Sequence, residues 1–453
     1  MSVVKSSLSV EQEKKLLSLF GHVRLHLLYK ASVHSYMHSA FHNRCDGQGP
    51  TVLVAYNKAG FVFGGYISKN YAQTGQVIND DKAFLYSITD QREKPLRVSS
   101  TDGQYGFTDG KNGLNVGVLW FLNNNTSTVQ IVAGNSYTFE GEEMHGNDLQ
   151  LTECEVYRVE DCGGILKTPW RGIDWEGYSS TKKRLMDYIK NYKPEVKSVF
   201  QARVLLVGPV GAGKSSFFNS INSVFKGHVT GQANTGSAGT SLTTQFRTYS
   251  IKAGQGGKAL PLVLCDTMGL EEGPSAGLDI DDVNSILKGH VQDRYQFNPS
   301  MSVQTDAVGF CKSPSLQDTI HCVVYVLDAC KVTLLSAKMV DKLAAIRKGI
   351  NKQGVPQLVL LTKVDEACPL VREDLTNIYL SHYIERMTRE VSVCLGVSQS
   401  CVLPVKNYSR EFELDVHTDI LLLTAVVQML RYSNSYFDDI DQAGDQKSEW
   451  LGL

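Results

Sequence analysis

The chain has 453 residues, with 45 Lys+Arg against 47 Asp+Glu and 42% hydrophobic residues, a length that calls for two or more domains with separate cores. The near-neutral balance excludes a global electrostatic pull toward DNA, RNA or an anionic membrane. Ten scattered cysteines without CxxC pairs, an N-terminus lacking an apolar targeting segment, and a longest apolar run of only "ILLLTAVVQML" from Ile420 argue for a soluble cytoplasmic protein without a membrane span.

In chain order, Ser9 opens the first expected helix, since S-x-x-Q (Ser9 to Gln12) can form a capping box ahead of Leu16, Leu17 and Phe20. A second helical pattern follows in "ASVHSYMHSAFHNRCD". Then come short strand-like runs between glycine or Asn/Asp turns: "TVLVAYN", "GFVFGGYIS", "AFLYSI", "GVLWFL", "STVQIVA" and "ECEVYRV". These runs predict an antiparallel sheet with attached helices, an α+β domain over residues 1–160.

From Asp161 to about Ser198 the texture turns polar, aromatic and basic, with "STKKRLMDYIKNYKPE" as a connecting helix that ends before Pro194. Residues 161–198 are therefore expected to be a linker. Over residues 199–437 the strands "ARVLLVG", "QFRTYSI", "PLVLCD", "CVVYVLD", "QLVLLTK" and "CVLPVKN" alternate with helical patterns. That alternation predicts an α/β domain with a mainly parallel sheet, right-handed crossovers and helices on both faces. Residues 438–453 read as a loosely ordered polar tail.

The chemistry starts at "GPVGAGKS", Gly208 to Ser215, which follows a short apolar strand and opens a helix. In a G-x-x-x-x-G-K-S loop the glycines let backbone N–H groups curl around phosphate oxygens at a helix N-terminus, the lysine reaches the β/γ-phosphates and the serine hydroxyl meets Mg²⁺. The expected phosphate contacts are Gly208, Val210, Gly211, Ala212, Gly213, Lys214, Ser215 and Ser216. Kinase, ATPase and GTPase all remain open at this point.

Three downstream strings choose among them. Asp266 ends "PLVLCD" and begins D-T-M-G, where its carboxylate can hold a metal-bound water and Gly269 can turn its N–H toward a γ-phosphate. "LVLLTKVD" ends a strand with T-K-x-D, expected to bring Thr362, Lys363 and Asp365 to a base. The lysine stem can lie along guanine while Asp365 accepts from N1–H and the 2-amino group. Adenine lacks that donor pair and would leave a buried carboxylate unpaired, a discrimination of roughly 10⁴-fold or more. "LPVKN" brings Lys406 to the end of another strand, where backbone N–H groups can meet the guanine O6. For Mg²⁺ the expected ligands are Ser215, Asp266 and a threonine of "GTSLTTQFRTYSI", Thr243 in preference to Thr240 or Thr244. The cofactors are thus GTP or GDP with Mg²⁺.

With those residues in place, the chain resembles a known family. Residues from about Leu27 to Val159, with "LLYKASVHSYMHSAFHNRCDGQGPTVLVAYNKAGFVFGGYIS" as the specific part, resemble a TLDc domain, and the second half resembles a P-loop G domain. That order over nearly the whole length is similar to the interferon-induced protein 44 family. The resemblance implies a cytoplasmic, guanine-nucleotide-binding protein of the interferon-induced antiviral response, associated with microtubular aggregates. It also implies an interaction role for the TLDc-like part, known in other proteins from oxidative-stress resistance and the vacuolar proton pump, and carries over no catalytic residues.

Leu270 stands where small Ras-like GTPases carry a water-orienting glutamine, so unaided hydrolysis should be slow. The long insert that follows, onward to Gln317, is a candidate lid or assembly surface, with Arg294 as a conceivable arginine finger. His22, His26, His34, His38 and His42 recur at multiples of four, but no acidic or cysteine ligand completes a metal set. The Asn124 and Asn125 sequons carry no meaning in a cytosolic chain, and no Ser/His/Asp or Cys/His signature stands out.

The leading expectation is a Mg-GTP-dependent switch or assembly protein that self-associates through its G domain and meets protein partners, with cytoskeletal ones as a candidate class, through the TLDc-like domain. The alternative is a scaffold acting through the TLDc-like domain, with nucleotide bound only structurally. A nucleotide-consuming enzyme with a small substrate is the weakest reading, because T-K-x-D reads a base and nothing resembles a second substrate site.

Overall fold

The structure, a computed structural model, describes residues 4–89, 92–101, 105–111, 113–132, 134, 136–231, 233, 244–254, 256–273, 277–298 and 301–451. The chain divides between Gly163 and Gly164 into two units.

In the first unit, β-branched and aromatic runs form, among the described residues, two smaller sheets and a main sheet of six antiparallel strands: β1 (Val23–Lys30), β2 (Thr51–Asn57), β3 (Val62–Ile67), β4 (Phe84–Ser87), β5 (Leu96–Ser99) and β6 (Leu151–Asp161). Their order in the sheet is β1-β6-β2-β3-β4-β5. Alternation along β2 sends Leu53 and Ala55 into one apolar cluster with Tyr29, Phe41 and Phe63, and Val52 and Val54 into another with Leu16, Phe84 and Tyr86. Both faces of this sheet are therefore covered. The capping box forms as expected, with Gln12 N donating to Ser9 Oγ and Ser9 N to Gln12 Oε1, both at 3.1 Å, at the start of the helix Val10–Leu17.

In sequence, residues 23–30 carry no expected element and one helical pattern is expected from Ala31; the structure differs at both. "VRLHLLYK" is the strand β1, and a register shift between Leu27 and Tyr29 breaks the alternation that would have announced it. The helical pattern from Ala31 is interrupted at Ser35, whose φ is 87°, leaving Ala31–His34 and His38–Cys45 as separate helices. His34 thus leaves the helix that carries His38 and His42. Individual partners are found instead: His26 with Glu160, His38 with the Leu122 carbonyl and His42 with Asp46. Among the described residues no His/Cys/Asp/Glu group is arranged to hold a metal ion.

In the second unit the described strands are β7 (Ala202–Val207), β8 (Arg247–Lys252), β9 (Ala259–Asp266), β10 (Cys322–Asp328), β11 (Gln357–Thr362) and β12 (Val402–Pro404), in the order β8-β9-β7-β10-β11-β12. Every neighbouring pair is parallel except β8 with β9. Only six residues separate Lys252 from Ala259, too few for a parallel crossover. β10 is buried along its whole length, as a strand covered on both faces must be.

The segment from Gly164 to Ser198, expected as a linker, belongs to this second unit. Arg171 donates to the carbonyls of Val402 and Gln399 at 2.8 and 2.9 Å, and the Tyr192 hydroxyl donates to Asn434 at 2.6 Å. The last helix runs Val416–Leu451, so the backbone of 438–451 is helical where a loose tail was expected. "DDIDQAGDQKSEWL" contains no proline to stop the helix, and polar composition alone does not. No helix among the described residues is long and apolar enough to cross a membrane.

The strand registers fix where chemistry can occur. Leu206 of β7 lies beside Asp266 of β9, Val207 beside Tyr325 of β10, Asp328 beside Thr362 of β11, and Leu361 beside Pro404 of β12. The carboxyl ends of these parallel strands therefore align along one edge, the place where open α/β sheets bind ligands.

Candidate nucleotide-binding site

The phosphate loop leaves β7 at Val207 and enters the helix Lys214–Lys226. Gly213 precedes that helix with φ of 99°, a conformation a side chain would strain. Lys214 is buried, and its ammonium donates to the carbonyls of Gly208 and Pro209 at 2.9 and 3.1 Å. Burial pushes this ammonium below its ordinary pKa, and the nearby Asp266 carboxylate pulls it back up. An incoming phosphate oxygen would meet a poorly hydrated cation held in place, with a third N–H to offer.

Ser215 and Asp266 meet across the strands, the serine hydroxyl donating to Asp266 Oδ2 at 2.5 Å. Asp266 is fully buried, and its Oδ1 has no hydrogen-bond partner. Desolvation raises its pKa, with Lys214 and Ser215 as the main opposing influences. A buried carboxylate with one unsatisfied oxygen beside a serine hydroxyl fits Mg²⁺, a hard cation that takes oxygen ligands. Thr240 and Thr243 lie outside the described residues. Thr244 is described, exposed, and accepts through its carbonyl from Phe297 N at 3.1 Å.

The D-T-M-G loop packs on the phosphate loop. A Cβ on Gly269 would come within 2.6 Å of Val210 Cγ2, so only glycine allows this approach. The Leu270 amide donates to the Gly208 carbonyl at 3.0 Å, while the Leu270 side chain is buried. Leu270 is thus a backbone clasp with an apolar anchor. Arg294 sits at φ of 68°, its side chain 75% exposed and beside Asp293, and its amide donates to the Phe246 carbonyl. That places it on a segment of the insert that pairs with residues 244–247, as Gln245 does with Gln296.

At the T-K-V-D turn, Thr362 is fully buried and its hydroxyl is bonded to the carbonyls of Ala212 and Leu327, at 2.6 and 3.1 Å. Its side chain is therefore a brace between strand and phosphate loop. Lys363 adopts φ of 59°, and its ammonium lies 2.7 Å from Asp328 Oδ2. Burial alone would lower the Lys363 pKa, but the charge and hydrogen bond of Asp328 outweigh it and raise the value. Desolvation raises the Asp365 carboxyl, with Lys406 opposing. Lys406 pairs with Glu411 at 2.8 Å, and burial of Glu411 is overcome by that bond and by backbone amides, which bring its pKa down to about 2. The Lys406 side chain is thus tied to its own loop.

The structure adds two residues that sequence reasoning missed. Asp328 partners Lys363, and Asn407 donates to the Gly213 carbonyl at 3.2 Å while its buried Oδ1 has no partner. The readable signal for Asp328 was a carboxylate ending the buried strand "CVVYVLD". Asn407 had none, since its partner lies far away in the chain.

This architecture, an antiparallel α+β unit followed by a P-loop α/β unit, defines the class of protein. The TLDc domain family model matches residues 5–160. The chain is 38% identical over 448 residues to human Interferon-induced protein 44-like, covering 96% of each, and 35% identical over 449 residues to human Interferon-induced protein 44, covering 98% of each. The chain belongs to the interferon-induced protein 44 family. Among solved structures, a probable GTP-binding protein engB is 12% identical, with 51% of this chain and 99% of that one covered and a TM-score of 0.29, a likeness too distant to speak for a ligand.

Proposed function

We propose that this chain is a guanine-nucleotide-binding protein of the interferon response, a cytoplasmic Mg-GTP-dependent switch or assembly factor with slow hydrolysis of its own. The observation that carries this reading is the alignment of strand ends. It sets the buried Lys214 and the half-satisfied Asp266 at one end and the T-K-V-D turn at the other, joined by the Thr362 brace to Ala212. Phosphate and base readers on one rigid edge suit a single nucleotide laid across it.

In this reading Lys214 and the loop amides hold the phosphates, and Lys363 with Asp365 hold guanine. Ser215 and Asp266 would hold Mg²⁺, whose contribution is to neutralise phosphate charge. The buried Leu270 supplies no group to orient water, which favours retention of GTP as a signal over rapid turnover. An antiviral role and partner binding through the TLDc unit complete the proposal, supported by family membership.

Isothermal titration of the full chain with GTP, GDP and ATP in Mg²⁺ tests it, with Lys214→Ala as the control. GTP binding lost on the order of 10²-fold in Lys214→Ala is expected, as for removal of a buried charge-assisted donor. Equal affinity in the variant would sink the reading.

A further inference from the structure

We propose that Asp328 is a positioning residue for base recognition, its buried carboxylate holding the Lys363 side chain in line as the platform on which the purine lies. The inference rests on the guanine reading above and adds to it a residue outside the T-K-V-D string.

Asp328 ends β10, is 6% exposed, and is placed beside Thr362 by the strand register. Its two oxygens have separate tasks. Oδ1 accepts from the Cys330 amide at 2.8 Å, which fixes the carboxylate against its own turn. Oδ2 accepts from Lys363 Nζ at 2.7 Å. The other cation facing it, Lys331, is 4.0 Å away and 59% exposed, too distant and too hydrated to compete. The Lys363 stem is therefore stretched between two fixed points, its backbone at the turn and its ammonium at Asp328.

The backbone at Lys363 supports the same conclusion. A lysine at φ of 59° pays a steric penalty that persists only where its surroundings over-determine it. The ion pair at one end and the helix Val364–Ala367 at the other supply that constraint. A lysine free to rotate would lose side-chain entropy on covering a base, and one already held has lost it beforehand. Asp328 contributes no contact to nucleotide, and acts through Lys363.

The test is fluorescence titration of the full chain with GTP, GDP and inorganic tripolyphosphate, each variant checked by thermal melting. Asp328→Asn should weaken GTP and GDP by the same factor, about tenfold, as for loss of one hydrogen bond to a charged group. Tripolyphosphate affinity should stay within twofold, since it meets only the phosphate loop; a merely structural role would weaken all three probes. Asp328→Glu should restore part of the loss. In a Lys363→Met background, Asp328→Asn should cost nothing further. If Asp328→Asn does not fold, Asp328→Ser, which keeps an acceptor for the Cys330 amide, reads the same loss. Unchanged GTP affinity, a parallel fall for tripolyphosphate, or additive losses in the double variant would overturn the inference while leaving the guanine reading intact. A wild-type chain that fails to bind GTP would overturn both.

Discussion

Asp109 in the first unit and Asp266 in the second are both essentially removed from solvent, at 1% and 0% exposure, and they have opposite fates. Asp109 accepts from the amides of Ala72, Gln73 and Thr74 and from the Thr74 hydroxyl. Burial alone would raise its pKa, but those donors outweigh it and hold it below the ordinary carboxylate value. Asp266 keeps one oxygen unpaired, and burial holds it above that value. A satisfied buried carboxylate is architecture, whereas an unsatisfied one at the end of a parallel strand is a place for a ligand.

The largest effect should come from Asp365, the proposed base reader. Asp365→Asn replaces an acceptor with an amide that suits the 2-carbonyl of xanthine, so GTP affinity should fall by roughly 10³-fold while xanthosine triphosphate binds. Competition titration with the two nucleotides checks it.

Next come the two carboxylates themselves, compared by melting in EDTA. Asp109→Asn loses acceptor strength for the part-buried bonds from the amides of Ala72, Gln73 and Thr74 and should cost about 1–3 kcal/mol without altering GTP affinity. Asp266→Asn should melt no lower than wild type, and higher at neutral pH, while losing the Mg²⁺ dependence of GTP binding.

The pH dependence of those differences has a definite sign. The depressed Asp109 stabilises above the unfolded carboxylate pKa, and that contribution disappears as pH falls through its folded value. The raised Asp266 works the other way: its carboxyl is tolerated without penalty below the unfolded pKa, and stability is lost as pH rises through the folded value. The two variants should therefore differ from wild type in opposite directions at pH 7, and both differences should shrink as pH falls into the carboxylate range.

The smallest expected change in activity is at Leu270. Because that side chain is buried, Leu270→Gln should not install a water-orienting amide at the phosphate. Phosphate release should stay within about twofold of wild type, while stability falls by about 1–3 kcal/mol from an unpaired buried amide.

Legibility in the sequence followed the range of each interaction. The strings D-T-M-G and T-K-V-D were readable because strand, turn and polar residue are contiguous. Asp328 with Lys363, 35 residues apart, and Asn407 with Gly213, 194 apart, are joined only by the sheet order, which no local pattern carries. In the first unit the bulge in β1 and the break at Ser35 erased the periodicities that would have marked them. The antiparallel β8 was hidden differently: its apolar pattern is the same whichever way it runs, and only the short turn to β9 reveals the direction. The segment 164–198 looked like a linker because its anchors, Arg171 and Tyr192, are polar groups bonded to distant carbonyl and amide oxygens.

The most direct measurement is the ratio of GTP to ATP affinity of the wild-type chain in Mg²⁺, by isothermal titration. A preference for GTP of roughly 10⁴-fold or more is predicted, because adenine offers no donor pair to Asp365. Comparable affinity for the two nucleotides, or binding of neither, would contradict a guanine site at this sheet edge.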